Sequence, residues 1–160
     1  MKRINKILNH DLFKSCINKT NGFEADRKFC RHNMEHFLAV ARIAMLLNYE
    51  KQLGIEKELI YAAALLHDIG RYQQYEDGTP HEQASACLAP QILEECGFDE
   101  KETSVIISAI ANHRNKKVKD ELSLNGLIYC GDKLSRPCYV CPVETDCNWK
   151  AEKKNKSLEI

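Results

Sequence analysis

Apolar residues recur along this chain with the 3.6-residue spacing of amphipathic helices. A short apolar stripe occupies residues 12–17, and a longer one runs over residues 29–47 with few helix-breaking residues. Residues 59–66 lack glycine, proline and charge, which is typical of a buried helix. A further apolar segment predicts a last helix that ends near Pro137. Because no alternating run is bounded by hairpin turn residues, the pattern predicts an all-α, single-domain helical bundle.

Turn and capping residues predict where several of these helices begin and end. Gly70 is expected to stop the helix that contains residues 59–66. Thr79 is predicted as the N-cap of the next helix, with Glu82 completing a capping box. Asp99 and Glu102 predict a second cap of the same kind. The helices on either side of residue 70 are therefore expected to be separate elements.

Length, charge and cysteine content narrow the class of protein. A chain of 160 residues can bury most of its apolar surface as one domain. Its 23 basic and 23 acidic residues cancel, so no overall field favours nucleic acid or an anionic membrane as partner. No apolar stretch is long enough to span a bilayer, and the N-terminus does not resemble a signal peptide. We therefore expect a cytoplasmic protein whose eight cysteines are reduced thiols or metal ligands.

Five imidazole or carboxylate side chains fall on the apolar faces of separate predicted helices. A lone core histidine is usually structural, but a set of five is hard to explain as independent accidents. A bundle that turned these helices inward would build a metal site in its core. The adjacent pair His67-Asp68 ends a buried helix, where a divalent cation would satisfy both polar groups. The five residues are His36, His67, His81, His113 and Asp132.

Three motifs lie in these helices, namely residues 36–44, residues 65–70 with the His-Asp pair, and residues 131–134. These motifs resemble those of the HD superfamily of metal-dependent phosphohydrolases. The resemblance implies an HD domain over residues 29–136, preceded by a helical extension at 1–28 and followed by a cysteine-containing tail at 137–160. It also implies one metal held by four protein ligands, namely His36, His67, Asp68 and Asp132.

Two further segments resemble motifs of the two-metal members of that superfamily, which include HD-type dinucleoside tetraphosphate hydrolases. These are residues 81–89 and 109–113, although the gap from Asp68 to His81 is shorter here than in those hydrolases. The resemblance implies a second metal bound by His81 and His113, with Asp68 as the catalytic carboxylate that bridges both ions. The resemblance favours iron or manganese, and zinc, nickel or cobalt also suits imidazole and carboxylate ligands.

Four residues near the expected ligands are candidates for binding substrate. His32 precedes His36 by one helical turn, and could touch substrate or act as an acid. Arg71 and Arg114 each follow an expected ligand directly and could hold phosphate oxygens in bidentate fashion. Lys133 is adjacent to Asp132 and could neutralise developing charge. Each residue also has an ordinary alternative role as a solvated or structural side chain.

The C-terminal cysteines form a separate possible metal cluster. Cys138, Cys141 and Cys147 have a Cys-x2-Cys-x5-Cys spacing, which could seed a structural zinc site or an iron–sulfur site. The alternative is three ordinary thiols in a loop. The sequence leaves this choice open.

The motifs together favour a metal-dependent phosphohydrolase that acts on a nucleotide or another small phosphate ester or anhydride. One alternative is an HD-type di-iron oxygenase, which would use the same ligands to activate dioxygen. Another is a non-catalytic module that senses metal or redox state through the cysteine tail. The partner expected for the leading hypothesis is a small phosphorylated compound, and the oligomeric state is open.

Overall fold

A computed structural model of the protein describes residues 1–158, which fold as helices with no strand. This confirms the predicted all-α, single-domain bundle. The α-helices are α1 (Lys2–Asn9), α2 (Asp11–Phe23), α3 (Met34–Glu50), α4 (Lys57–Leu66), α5 (Arg71–Glu76), α6 (His81–Cys96), α7 (Glu100–Asn112) and α8 (Leu124–Leu134). No helix among these residues is both long and apolar enough to cross a membrane.

Helix α4 is the centre of the bundle. It packs against α1, α3, α6, α7 and α8, which enclose its C-terminal half. Its last five residues, from Ala62 to Leu66, are all fully buried. The three alanines among them leave room for neighbouring helices to approach closely, while Leu65 and Leu66 fill the space between them. This packing holds the end of α4, and the His-Asp pair that follows it, in the core.

Gly70 does not end helix α4, contrary to the prediction from the sequence. Helix α4 ends at Leu66, and Gly70 has an ordinary φ of −82° as the residue before α5. A Cβ atom at Gly70 would lie 2.4 Å from the backbone nitrogen of Ser85 and 2.6 Å from the carbonyl carbon of Ala84. Its backbone N–H also donates to Ser85 Oγ at 2.9 Å. Glycine is therefore required because α6 packs directly on this turn.

The predicted capping boxes have different outcomes. Asp99 and Glu102 form the expected reciprocal capping box at the start of α7. The box predicted for α6 is wrong, because the N-cap position falls on Pro80 and no side chain caps this helix. Glu82 instead pairs with Arg114 at 3.1 Å, at the end of α7. The carboxylate thus connects two helices that carry site histidines.

Helix α3 is shorter than its apolar stripe. It begins at Met34, where the Asn33 side chain accepts a hydrogen bond from the backbone N–H of His36. Phe29 and His32 precede the helix, so the predicted helical relation between His32 and His36 is wrong. The backbone N–H of His32 donates to the buried carboxylate of Glu24 at 2.6 Å. This contact draws the chain out of helical geometry just before α3.

Candidate metal centre

The structure brings the six expected metal ligands together in the core. His36 lies in the first turn of α3, and His67 and Asp68 follow the last residue of α4. His81 is the first residue of α6, His113 follows α7, and Asp132 lies in the last turn of α8. All six are 8 % exposed or less. Five helices or helix ends therefore converge on one small volume.

Four of these side chains form the first group of possible ligands. The ligand atoms of His36, His67, Asp68 and Asp132 all lie within 4.8 Å of one another. His67 Nε2 is 3.2 Å from Asp68 Oδ2, and His36 Nε2 is 3.4 Å from Asp132 Oδ1. His36 Nε2 is also 3.7 Å from Asp68 Oδ2. Two imidazoles and two carboxylates thus face a common point.

Asp68 also belongs to a second group, with His81 and His113. Here its other oxygen is used, since Asp68 Oδ1 is 3.2 Å from His81 Nε2 and 3.5 Å from His113 Nε2. The two Nε2 atoms are themselves 3.2 Å apart. Each oxygen of Asp68 therefore faces a different set of imidazoles, which is the arrangement of a bridging carboxylate.

Backbone and side-chain acceptors orient the histidine rings. The Nδ1 atoms of His67 and His113 lie 2.7 Å from the carbonyl oxygens of Ala64 and Ile110, respectively. A carbonyl can only accept, so Nδ1 carries the proton and Nε2 presents its lone pair to the centre. His81 Nδ1 lies 2.5 Å from Gln74 Oε1 and 2.7 Å from Arg71 Nη1, and these two contacts favour opposite tautomers. The rings of His67 and His113 are therefore held ready to bind a cation through Nε2.

Electrostatics keep the carboxylates ionised and His81 neutral. Burial opposes ionisation of Asp68, but the surrounding imidazoles, first of all His67 when it is protonated, hold the pKa of Asp68 well below its usual range. Burial likewise opposes ionisation of Asp132, whose pKa is lowered by His36, Lys133 and Arg136. Burial lowers the pKa of His81 to about 3. Ionised carboxylates and neutral imidazole are the forms that bind metals.

The buried polar atoms of the centre fit a divalent cation. His36 Nε2, His67 Nε2 and Asp68 Oδ1 are buried without a hydrogen-bond partner among the described residues. Leaving such atoms unsatisfied costs about 1–3 kcal/mol each, and a cation coordinated by all of them would remove that cost. Mixed imidazole and carboxylate ligands suit Fe, Mn or Zn. The donor set therefore matches the predicted chemistry.

A buried carboxylate that the sequence analysis missed supports His32. Glu24 follows α2 and is 2 % exposed, with Oε1 2.5 Å from His32 Nδ1 and 2.6 Å from the Tyr75 hydroxyl. Burial opposes its ionisation, but the hydrogen bonds from His32 and Tyr75 lower the pKa of Glu24 to about 2. His32 Nε2 lies 3.9 Å from Asp68 Oδ2. Glu24 thus holds the His32 imidazole at the edge of the metal centre.

Arg136 is a second buried residue near the centre that the sequence motifs did not indicate. It is 7 % exposed, and its Nη2 donates to Asp132 Oδ1 at 3.2 Å. Its Nε is buried without a hydrogen-bond partner among the described residues. The spacing of four residues from Asp132, which places two helical side chains together, was the available sequence signal. Arg136 therefore brings a second positive charge to Asp132, beside that of Lys133.

The predicted substrate residues line a cavity of about 430 Å³ at the centre. Arg71 Nη1 is 2.7 Å from His81 Nδ1, and Lys133 Nζ pairs with Asp132. Arg114 is half exposed and pairs with Glu82. His32 and Arg136 line the same cavity. All four predicted residues are thus next to the centre, and their roles in binding substrate stay predictions.

The thiols of the tail cysteines do not converge as the histidines and aspartates of the metal centre do. Among the described residues, the groups whose ligand atoms lie within 4.8 Å of one another include no cysteine. All eight cysteines are free thiols. Cys138, Cys141 and Cys147 instead lie along the walls of two neighbouring cavities. This geometry does not favour a zinc or iron–sulfur cluster over the alternative of three ordinary thiols.

Histidine and aspartate side chains that converge inside a helical bundle are typical of helical proteins that bind metal ions in their core. The family profile described as HD domain matches residues 33–137. The chain therefore belongs to the HD domain family, which confirms the resemblance to metal-dependent phosphohydrolases that its motifs indicated.

Three relatives extend the comparison. A Clostridium beijerinckii protein, whose name assigns it no function, is 47 % identical over 155 residues and covers 97 % of both chains. Ribonuclease Y of Enterococcus faecalis is 34 % identical over 102 residues, 64 % of this chain and 18 % of its own length. Ribonuclease Y 1 of Pediococcus pentosaceus is 35 % identical over 82 residues, 51 % of this chain and 14 % of its own length. No solved structure matches the chain.

Proposed function

We propose that this protein is a metal-dependent phosphohydrolase that cleaves a small phosphorylated compound, favouring a nucleotide, with two divalent ions. His36, His67, Asp68 and Asp132 would hold one ion, and Asp68, His81 and His113 would hold the other. The observation that carries this proposal is Asp68, whose two oxygens face separate sets of imidazoles. HD domain membership and the similarity to the two ribonucleases support hydrolysis of a phosphate bond.

Cationic side chains of the cavity would bind the phosphoryl group. Two divalent ions held by these ligands would supply Lewis-acid activation of water and would neutralise charge during in-line displacement at phosphorus. Arg71 and Arg114 would hold phosphate oxygens, because both line the cavity and Arg71 Nη1 lies beside His81 Nδ1. Lys133 and Arg136 would offset the charge that develops at the Asp132 side. Together they orient the substrate for attack from one direction.

His32 is proposed to transfer a proton during cleavage. Glu24 accepts from Nδ1–H, so the Nε2 atom of His32 faces the cavity. From there the Nε2 lone pair could accept a proton from water, and the imidazolium so formed could give that proton to the leaving-group oxygen. Burial lowers the pKa of His32, so a neutral ring with its proton on Nδ1 is the resting form. Glu24 would then be a positioning residue, since it acts through His32.

Iron or manganese is the favoured metal. Four of the six proposed ligands are imidazoles, which suit first-row transition metals, whereas Mg²⁺ prefers oxygen ligands. The free thiols of all eight cysteines support our proposal of a reducing, cytoplasmic setting. The balanced charge of the chain favours a small substrate over a long nucleic acid.

Release of phosphate or a phosphorylated product is the direct test. Protein purified without oxygen and loaded with Mn²⁺, Fe²⁺, Co²⁺ or Ni²⁺ should turn over part of a panel of nucleoside monophosphates, nucleoside polyphosphates, sugar phosphates and a short RNA. No turnover by protein with verified metal content would contradict the proposal. Oxygen consumption without hydrolysis would instead favour the di-iron oxygenase alternative.

A further inference from the structure

The C-terminal segment 138–149 forms one wall of the 430 Å³ cavity. Cys138, Cys147, Asn148 and Trp149 line this cavity together with both site aspartates. The HD domain match ends at residue 137, so this wall lies outside the matched domain. Residues that no HD motif assigns therefore face the same space as the proposed metal ligands.

Polar contacts tie this segment to its surroundings. Asp146 pairs with Lys28 in the segment before α3, and Glu144 accepts from Lys154 Nζ at 2.8 Å. Asn155 then anchors the following residues at 2.8–3.3 Å on three carbonyl oxygens near the end of α8, those of Lys133, Leu134 and Arg136. The wall is thus held by the segment before α3 and by the end of α8, and a substrate-contacting surface requires such support.

The Trp149 ring lies next to Arg136, whose guanidinium contacts the metal centre. The Arg136 guanidinium carbon is 5.7 Å from its ring centroid, and the same guanidinium bonds Asp132. Trp149 is half-buried and lines the cavity, as does Phe29. An indole exposed to a ligand cavity offers a flat surface on which planar rings stack.

The cavity therefore combines two kinds of recognition. Arg71, Arg114, Lys133 and Arg136 supply cationic donors for phosphate oxygens, while Trp149 supplies a stacking surface at the same cavity. A volume of about 430 Å³ is within the usual range for small-molecule sites. A phosphate compound with a planar ring, which is the chemistry of a nucleotide, would use both features.

We propose that Trp149 is a specificity-determining residue that stacks on the nucleobase of a nucleotide substrate. This inference rests on the proposed function, because it assumes that the phosphate group lies at the metal centre. It goes further by naming the residue that selects the organic part of the substrate. Base–aromatic stacking is typically worth about 1–3 kcal/mol, or roughly 5- to 150-fold in affinity.

The test compares two ligands that share the same methylenebisphosphonate group. Adenosine 5′-(α,β-methylene)diphosphate and methylenediphosphonate both resist cleavage of their P–C–P bridge, but only the first carries a base. Calorimetry on the metal-loaded protein should give tighter binding of the adenosine ligand by at least about fivefold. Trp149 is the chain's one tryptophan, so its fluorescence should be quenched by the adenosine ligand and not by methylenediphosphonate.

Variants assign the preference to Trp149. Trp149→Ala should bring the two affinities together without changing that of methylenediphosphonate, and Trp149→Phe should keep most of the preference. Tyr139→Ala is the matched control, because Tyr139 is a half-exposed aromatic residue of the same segment that is not among the described residues lining the cavity. Circular dichroism and metal content would establish that each variant is folded and loaded.

The outcomes separate this inference from the proposed function. Equal affinity of the wild-type protein for both ligands would overturn the role of Trp149 and leave the phosphate site intact. A base preference that survives in Trp149→Ala would overturn it as well. If neither ligand binds the loaded protein, the phosphate site itself fails, and the inference fails with it.

Discussion

Asp68 is the residue on which the two proposed ion sites depend. Its Oδ2 faces His36 and His67, whereas its Oδ1 faces His81 and His113. The remaining ligands each belong to one group only. Substitutions in the second group should therefore affect one ion, whereas loss of Asp68 should affect both.

His113→Ala should remove one ion and leave the other. His36, His67, Asp68 and Asp132 would remain as four ligands of the first ion, whereas the second would keep only Asp68 and His81. Elemental analysis should fall from two ions per chain to one, with activity strongly reduced. His10→Ala, in a histidine that instead pairs with Glu95 at 3.0 Å, should keep both ions. Loss of both ions in His113→Ala would contradict two separable sites.

Glu24 makes stability depend on pH in a defined window. Its pKa falls from 4.5 to about 2 on folding, so its contribution is complete above pH 4.5 and is lost as pH falls towards 2. The shift corresponds to about 3 kcal/mol at neutral pH. The difference in free energy of unfolding between wild type and Glu24→Gln should therefore shrink as pH falls, as measured by urea unfolding.

The control for this experiment is Glu94→Gln, in an exposed residue of α6. Its effect on unfolding should be small at every pH. A difference between wild type and Glu24→Gln that stays constant from pH 7 to pH 3 would show that the carboxylate is not specifically stabilised by its donors.

At the scale of helices, the close contact between the His-Asp turn and α6 is the feature most sensitive to substitution. Gly70→Ala would place a methyl group 2.4 Å from the backbone of Ser85, so α6 must move away. Overpacking of this kind costs about 1–3 kcal/mol, and the shift would carry His81 away from Asp68. We expect a lower melting temperature together with weaker binding of the second ion.

Gly22→Ala provides the matched control for Gly70→Ala. A Cβ atom at Gly22 would meet nothing within 4 Å, and this glycine lies within α2. Alanine favours helix more than glycine does, so this variant should be as stable as wild type or more stable. Equal effects of the two substitutions would show that the contact of Gly70 with α6 has no special role.

The apolar pattern predicted the longer helices but not two short ones. Helix α5 has one buried residue, Tyr72, in an otherwise polar sequence, and α1 has only two turns, with Ile4 and Ile7 buried. Neither is long enough to show a periodic pattern. Both depend on tertiary contacts, such as Arg3 of α1 with Glu58 and Glu102 at 2.6 Å each.

The motifs predicted which side chains converge, but not the groups that support them. Each ligand occupies a recognisable position in its own helix, so local sequence was sufficient. Glu24 reaches His32 through a turn of chain that leaves no periodic signal, and it was therefore missed. The predicted cysteine cluster relied on spacing alone, and spacing does not determine whether the thiols meet.

Considered as a whole, the molecule builds its cavity from more than the matched domain. Arg27 precedes residue 33, where the match begins, and Trp149 follows residue 137, where it ends; both line the cavity. The chain carries no net charge, yet several arginines and a lysine surround this one cavity. A cationic cavity on a neutral protein concentrates attraction for anions at the site itself.

The most direct test of the account is the number of metal ions bound per chain. Protein purified without oxygen, reconstituted with Mn²⁺ or Fe²⁺ and freed of excess metal, would be examined by elemental analysis beside Asp68→Ala. We predict two ions per wild-type chain, and almost none in a folded Asp68→Ala variant, with no release of phosphate. A wild-type chain that holds no ion, or an Asp68→Ala variant that keeps two, would contradict the assignment.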